Sequence, residues 1–310
     1  MSFGKKFLQL DPHKKKIYAN STTKWAKIIF RTLFIVGMSY VILYPLMHLL
    51  ANSFSAAENR FDPTVVWIPR YFSLYAFRGA IEFLDYWNAI LRTLLILVPS
   101  VIFQVISAML AGYGFARFKF KGRGLLFGLL IFTIIVPVQT YIIPLFVIYS
   151  NMGILDTPVT FWLPSVLGVG IRGGLYIFVF RQFFANMPKE LEEAALIDGC
   201  GPIRVFIRIM MPNVGSAVLT VGLFSTVWHW NDFYLSSMFY DTRFPISVTL
   251  AHVEQRLSAL DAIQDPIIAQ LIRNHVIEAA CLLVLLPLLI FYIFTQRYFT
   301  ESVQRTGLVG

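Results

Sequence analysis

The residues best suited to bind a partner protein lie in one short acidic segment of the chain. A predicted helix there has one face, at spacings of three and four residues, formed by Leu191, Ala194, Ala195 and Asp198. The two alanines would let another backbone approach closely, and the adjacent carboxylate of Glu193 can accept hydrogen bonds from an arginine on that partner. Because a helix of about three turns is marginal in water by itself, the segment predicts a docking site for another protein.

A second group of polar side chains falls inside an apolar run, where such groups are costly in hydrocarbon and should face a bundle interior or a pathway. The group consists of His229, Asn231 and Asp232, surrounded by Trp228, Trp230, Phe233 and Tyr234. Aromatic faces suit the apolar sides of sugar rings and polar groups suit their hydroxyls, so residues 229–232 are candidates for a sugar pathway. The alternative is an interfacial belt of tryptophans.

Two further polar residues, Gln139 and Thr140, lie between Pro137 and Pro144 in another apolar run. Proline interrupts the hydrogen-bond ladder of a helix, so a kink that faces a pathway is expected here. The alternative is a kink packed against neighbouring helices, with the hydroxyl of Thr140 bonded to its own backbone.

The sequence carries no pattern that supports catalysis. It lacks the G-x-x-x-x-G-K-[ST] loop that cradles ATP phosphates, and its five histidines form no nucleophile–base or metal-ligand constellation with Cys200. Cys200 and Cys281 are predicted to be unpaired, since neither falls in an oxidising compartment with a partner. We therefore expect no catalytic residue, no metal site and no cofactor in this chain.

The composition predicts a membrane protein. Of the 310 residues, 57% are hydrophobic and 14% are charged, whereas globular domains carry roughly a quarter charged residues. The apolar residues form six runs, each long enough to cross a hydrocarbon core of about 30 Å. These runs are residues 28–50, 89–115, 125–149, 159–180, 214–240 and 276–295. The expected fold is an all-α integral membrane protein with six transmembrane helices.

The distribution of charge predicts how these helices are oriented. The net charge is +9, and lysines are concentrated in the basic tail 1–27 and between the second and third runs, so both segments should be cytoplasmic. By alternation, the segments 51–88, 150–158 and 241–275 lie outside, and the C-terminal tail 298–310 is cytoplasmic. The first run, 28–50, is too long for a signal-peptide core and is expected to remain as an anchor.

Prolines and a glycine divide the acidic segment into two predicted helices. Pro188 suits the first helical position, and Gly199 is placed to take the left-handed conformation that ends a helix. Pro202 would begin the second helix, and Pro212 would end it. An amphipathic helix lying on the membrane surface is the alternative, but an anionic inner leaflet would repel an acidic helix.

The spacing in this segment resembles the EAA loop of binding-protein-dependent ABC importer permeases. The matching positions are Glu193, Ala194, Ala195, Gly199, Ile209 and Pro212, with Met211 where leucine is usual. In that family the loop, here residues 185–212, forms coupling helices that dock into a cleft of a cytoplasmic ATPase. The resemblance implies the type I importer fold and a core permease domain at residues 89–297. It also implies three protein partners: a second permease in a heterodimer, an ATPase dimer that binds the ATP, and an external solute-binding protein. The location that it implies is a bacterial inner membrane.

Other segments are similar to the carbohydrate-uptake subgroup of that family, in particular to the smaller permease of maltose-type pairs. These segments are residues 113–117, 153–157, 230–233 and 307–310. The resemblance implies a sugar or an oligosaccharide as cargo. It also implies that the 241–275 loop contacts the solute-binding protein.

Other functions fit parts of the pattern. An ion-coupled secondary carrier would explain polar residues inside the helices, but it gives no reason for an intact EAA loop. An ABC permease for a polyol phosphate, a peptide or an amine keeps the loop and changes only the cargo. A membrane-embedded enzyme would need a catalytic constellation, which this sequence does not contain. A nucleic-acid-binding function conflicts with the acidic charge of the predicted helix.

Overall fold

The computed structural model describes residues 12–56, 68–258 and 266–307. Within these ranges the chain is helical, and its only β-type pairing is an isolated bridge between Ser55 and Phe72. The α-helices are α1 (Pro12–Ser53), α2 (Tyr75–Phe83), α3 (Tyr86–Arg117), α4 (Arg123–Ile135), α5 (Ile142–Asn151), α6 (Val159–Val166), α7 (Gly173–Asn186), α8 (Glu190–Ile197), α9 (Pro202–Val205), α10 (Met211–Asn213), α11 (Gly215–Trp230), α12 (Tyr234–Phe239), α13 (Ile246–Ser258) and α14 (Pro266–Gly307). The predicted all-α fold is confirmed.

Three helices of the described chain are long and apolar enough to cross a membrane. Their apolar stretches are Lys27–Ser53 in α1, Tyr86–Arg117 in α3 and Arg273–Arg297 in α14. A fourth crossing is counted if the bent pair Pro202–Asn213 and Gly215–Trp230 forms one span. The first, second and sixth predicted runs therefore coincide with long helices. The total of six crossings and the cytoplasmic position of both termini stay predictions.

The third predicted run, 125–149, is not one helix. α4 ends before Pro137, a 3₁₀ turn at Val138–Thr140 follows, and α5 begins at Ile142. Pro137 disfavours helical geometry in the residue before it, and Val136 is accordingly extended, with a ψ of 120°.

The fourth and fifth predicted runs are interrupted as well. In the run 159–180, the non-helical residues 167–172 separate α6 from α7, and this connection contains Gly168 with a φ of +76°. In the run 214–240, α11 ends at Trp230 and a short break precedes α12. Such breaks leave backbone N–H and C=O groups without helical partners inside the bundle, where side chains must form hydrogen bonds with them.

The segments predicted as tails and loops also contain helices. α1 begins at Pro12, inside the predicted basic tail, and α14 continues to Gly307, inside the predicted C-terminal tail. The predicted external segments 51–88 and 241–275 contain α2 and α13. The parts of those segments at residues 1–11, 57–67, 259–265 and 308–310 lie outside the described residues.

The chain divides into two compact units, Met1–Leu74 and Tyr75–Gly310. In the second unit α3 is central: it packs against α6, α7 and α11, while α14 packs against α2, α11 and α13. The backbones of α3 and α7 approach closely at Gly112, where an added Cβ atom would lie 2.6 Å from the Cβ of Phe180. The core around this contact extends into the acidic loop through the buried Ala195, so the loop is continuous with the helical bundle.

Candidate functional site

The acidic loop contains a short helix with a well-formed C-terminal cap. α8 has three glutamates in its first turn, where the helix dipole favours negative charge. After its last turn, Gly199 has a φ of +77° and its N–H donates to the Leu196 carbonyl at 3.1 Å. The Cys200 N–H donates to the Ala195 carbonyl at 2.9 Å. These two bonds form a Schellman cap, which confirms the predicted left-handed conformation of Gly199.

A buried ion pair attaches α8 to the end of α3. Arg117 Nε lies 3.5 Å from Glu192 Oε1, and the two side chains are only 6% and 17% exposed. The same guanidinium donates a 2.7 Å hydrogen bond to the Met187 carbonyl. The Tyr113 hydroxyl, about one turn earlier in α3, interacts with the same carboxylate. Because Ala195 is buried beside them, the inner face of α8 is held by both packing and charge.

The outer face of α8 is open. Glu193 and Ala194 are exposed, and the side chain of Ile197 is 86% exposed. The predicted docking face therefore needs a correction: Ala195 belongs to the core, and Ile197, which was not among the predicted residues, belongs to the exposed face. The signal for Ile197 was its spacing of three residues from Ala194 and four from Glu193.

The second half of the loop is less regular than predicted. Pro202 takes the first position of α9, as expected, but a π-helical turn at Phe206–Met210 follows. The helical run then passes through Pro212 to Asn213 and bends by 74° into α11. Pro212 is the second residue of α10 and does not itself end the run, which continues one residue further to Asn213. Ile209 is partly buried against the core.

A concavity of about 540 Å³ opens beside the Schellman cap. It is lined by Gly199, Gly201, Pro202, Ile203, Arg204, Ile207 and Arg208. Its walls combine exposed isoleucines with two arginines about one turn apart, whereas α8 beside it is acidic. The loop therefore presents a helix and an adjoining hollow of opposite charge.

Two of the predicted pathway residues turn inward. His229 and Trp230 are both buried. The Nδ1 atom of His229 lies 2.8 Å from the Ser225 carbonyl, and the Trp230 Nε1–H donates to the Val284 carbonyl at 3.3 Å. The Nδ1 atom of His229 and the indole N–H of Trp230 thus have partners within the chain that join successive turns of α11 and link α11 to α14. The Nε2 atom of His229 is buried without a hydrogen-bond partner in the described chain.

The next two predicted pathway residues follow the end of α11. Asp232 Oδ2 accepts hydrogen bonds from the N–H and the hydroxyl of Ser236, each at 2.8 Å, so the carboxylate stabilises the start of α12. Asn231 is exposed, and so is Trp228 about one turn before it. The surface that a solute could reach here is formed by Trp228 and Asn231 rather than by the whole 229–232 segment. A pathway role for these residues stays a prediction.

Gln139 and Thr140 lie on the 3₁₀ turn between α4 and α5, and both are exposed. The Thr140 hydroxyl donates to the Pro137 carbonyl at 2.7 Å. The hydroxyl is therefore bonded to its own backbone, as the alternative interpretation of this kink expected, while the exposed amide of Gln139 stays a candidate pathway group.

The buried polar contacts of Gln104 were not predicted from the sequence. Gln104 of α3 is fully buried, and its Nε2–H donates at 2.8 Å to the Ile171 carbonyl in the break between α6 and α7. Its Oε1 accepts a longer bond, 3.5 Å, from the Ser225 hydroxyl of α11. The signal was a lone amide inside an apolar run. Gln104 satisfies part of the irregular backbone that the broken helix leaves inside the bundle.

Curated relatives of the chain are permeases of bacterial ABC transporters. A probable ABC transporter permease of Bacillus subtilis is 27% identical over 300 residues, which cover 97% of this chain and 92% of the relative. A polygalacturonan/rhamnogalacturonan transport permease of the same organism is 27% identical over 87% of this chain and 93% of its own length. A melibiose/raffinose/stachyose import permease, also of Bacillus subtilis, is 27% identical over 93% and 98%.

The fold matches a solved structure of a bacterial ABC transporter involved in the import of the acidic polysaccharide alginate. The TM-score is 0.70 at 20% identity, and the match covers 89% of this chain and 98% of that chain. This likeness confirms the predicted permease fold. Residues 104–305 match the family model described as binding-protein-dependent transport system inner membrane component, and this stretch includes the whole acidic loop. The chain belongs to that family of ABC transporter permeases.

Proposed function

We propose that the chain is one permease of an ATP-driven importer and that it translocates a sugar or an oligosaccharide delivered by an external solute-binding protein. A second permease completes the pathway as a heterodimer, and a dimer of cytoplasmic ATPases binds the ATP. The family supports the importer, and the carbohydrates named for two similar permeases support the class of cargo.

The observation that carries the proposal is the two-sided geometry of α8. Its inner face is fixed to α3 through Arg117 and Glu192, and its outer face, with Glu193 and Ile197, is open. A protein that docks on the outer face and moves will therefore move α3 as well. Nucleotide binding by a docked ATPase would shift the balance between two states of the permease.

The test is uptake of labelled oligosaccharide into vesicles that contain this chain, the second permease, the ATPase and the solute-binding protein. We expect ATP-dependent uptake, which Glu193→Ala abolishes together with copurification of the ATPase. Lys121→Ala, an exposed residue of the predicted cytoplasmic connection before α4, is the matched control and should keep both.

Two results would contradict the proposal. Uptake that persists without the ATPase or without ATP would assign the chain to an ion-coupled carrier. An ATPase that stays bound and active in transport after Glu193→Ala would move the docking site away from α8.

A further inference from the structure

Arg172 is a cation at an unusual place in the fold. It lies in the break between α6 and α7, in the left-handed region with a φ of 58°. α7 separates it from the acidic loop by 14 residues, or roughly 20 Å at the rise of an α-helix. Arg172 therefore lies inside the apolar run 159–180 and away from the acidic loop, in surroundings where a charged side chain needs a polar partner.

The contacts of Arg172 within the described chain are aromatic rather than acidic. Its guanidinium carbon lies 4.3 Å from the centroid of the Trp228 ring, and Tyr141 and Tyr176 are close enough to experience its charge. Neither the Arg92–Asp85 ion pair nor the Arg117–Glu192 ion pair involves Arg172. No carboxylate in the described part of the chain therefore neutralises Arg172.

The stacked arrangement leaves the guanidinium ready to bind an anion. One face lies on Trp228, while the N–H donors at its edge remain available in the planar fork that matches a carboxylate. Arg172 itself is exposed, and the side chains of Trp228 and Tyr141 are 41% and 46% exposed. The cation and the two neighbouring aromatic side chains are thus all accessible at the surface of the chain.

We propose that Arg172 and Trp228 form a binding site for the carboxylate of an acidic sugar, such as a uronic acid residue of an oligosaccharide in transit. Arg172 binds the carboxylate with two N–H donors, and the aromatic surface packs against the sugar ring. Charge complementarity favours this occupant, because an apolar or neutral solute would leave the guanidinium without a counter-charge. The inference rests on the proposed function and narrows its cargo to anionic carbohydrates.

The test compares two probes of equal length in the reconstituted four-component vesicles, trigalacturonate and its uncharged methyl ester. Arg172→Asn removes the charge while suiting the left-handed backbone, and Arg172→Lys keeps the charge without the fork. Arg181→Asn is the matched control, since Arg181 also lies in this helical region and stacks on Phe127 at 4.5 Å.

We expect Arg172→Asn to lower the ratio of acid uptake to ester uptake by roughly 10- to 100-fold, the loss typical of charge-assisted hydrogen bonds. Arg172→Lys should lower the ratio less, and Arg181→Asn should leave it unchanged. The ratio cancels differences in expression and assembly, so a variant that folds poorly still gives an answer.

Other outcomes overturn the inference. An unchanged ratio of acid uptake to ester uptake in Arg172→Asn overturns it. If this variant also loses the second permease while the ratio is unchanged, Arg172 belongs to a contact between subunits. ATP-dependent uptake of neutral maltotriose, with no uptake of trigalacturonate by the wild type, would overturn the inference and leave the proposed function intact. Uptake that needs no ATPase would overturn the proposed function itself.

Discussion

Arg117 and Glu192 form a buried ion pair that joins the last turn of α3 to the first turn of α8, with 3.5 Å between Nε and Oε1. Arg117 is also tied to the backbone at Met187, just before α8 begins. The guanidinium therefore holds the short helix at two points. A force exerted on α8 by a docked protein would therefore reach the central helix of the bundle through this residue and through the packing of the buried Ala195.

Glu192→Gln keeps the size of the side chain and removes the charge that faces Arg117. Because it leaves a buried guanidinium without its counter-charge, we expect it to weaken the attachment of α8 by about 1–3 kcal/mol. Backbone amides of α8 should then exchange hydrogen roughly 5- to 100-fold faster in the purified complex. Asp85→Asn is the control: it breaks the pair with Arg92, whose side chains are 36% and 45% exposed, and such pairs contribute little. Equal exchange of α8 in the two variants would show that the buried pair is not an anchor.

Gly199 allows a test of the cap itself. A Cβ atom added there meets no atom within 4 Å, so Gly199→Ala costs only the left-handed strain, about 1–2 kcal/mol. We expect less ATPase to copurify with the permease pair, and we expect Gly199→Asn to be milder because asparagine accepts this conformation. Gly201→Ala is the matched control, since Gly201 has an ordinary φ of −71° and equally open surroundings. Similar losses from Gly199→Ala and Gly201→Ala would contradict a role for the cap.

The close approach of α3 and α7 predicts a strong effect at Gly112. A Cβ atom there would lie 2.6 Å from the Cβ of Phe180 and 2.9 Å from the backbone nitrogen of Arg181. Gly112→Ala should destabilise the protein by about 1–3 kcal/mol through overpacking, measured as a lower unfolding temperature in detergent. Gly114→Ala, two residues further along the same helix, meets no atom within 4 Å and should be neutral or gain up to about 1 kcal/mol of helix propensity. A stable Gly112→Ala variant would mean that the helices are further apart.

The sequence predicted the acidic loop better than the breaks inside the apolar runs. The cap at Gly199 depends on local backbone chemistry, which proline and glycine positions report directly. The break before α7 was missed because its glycines and Arg172 lie among apolar residues, and a count of hydrophobicity cannot separate one long helix from two short ones. The burial of His229 and Trp230 and the pairing of Glu192 depend on which face of a helix meets another helix, and that information appears only in the folded chain.

Asp156 anchors the turn that precedes α13. Its carboxylate accepts a hydrogen bond from the Thr242 hydroxyl and longer bonds, each 3.3 Å, from the N–H groups of Asp241, Thr242 and Arg243. Its own N–H donates to the Phe239 carbonyl at 2.9 Å. This residue lies in the predicted external connection between α5 and α6, so the start of the loop expected to meet a solute-binding protein is fixed to that connection.

The same contacts predict how the turn responds to acid. Partial burial acts to raise the pKa of Asp156, but the hydrogen bonds outweigh it and hold this pKa below its ordinary value. A carboxyl group whose pKa is lower in the folded state stabilises the fold fully at pH values above its unfolded-state pKa of about 4. This stabilisation is lost as the pH falls through the lower folded-state pKa. The turn should therefore be insensitive to pH near neutrality and weaken only in strong acid.

Asp156→Asn tests this linkage, because asparagine keeps the tolerance for the left-handed φ of 59° at this position and removes the charge. We expect the variant to unfold at a lower temperature than the wild type at neutral pH, and the difference to narrow below about pH 4 as the wild-type carboxylate is protonated. Asp241→Asn, an exposed neighbour in the same turn, should follow the wild type throughout. A difference between Asp156→Asn and the wild type that stays constant down to the lowest pH would show that the carboxylate's charge does not stabilise the turn, because protonating the wild type would then have removed nothing.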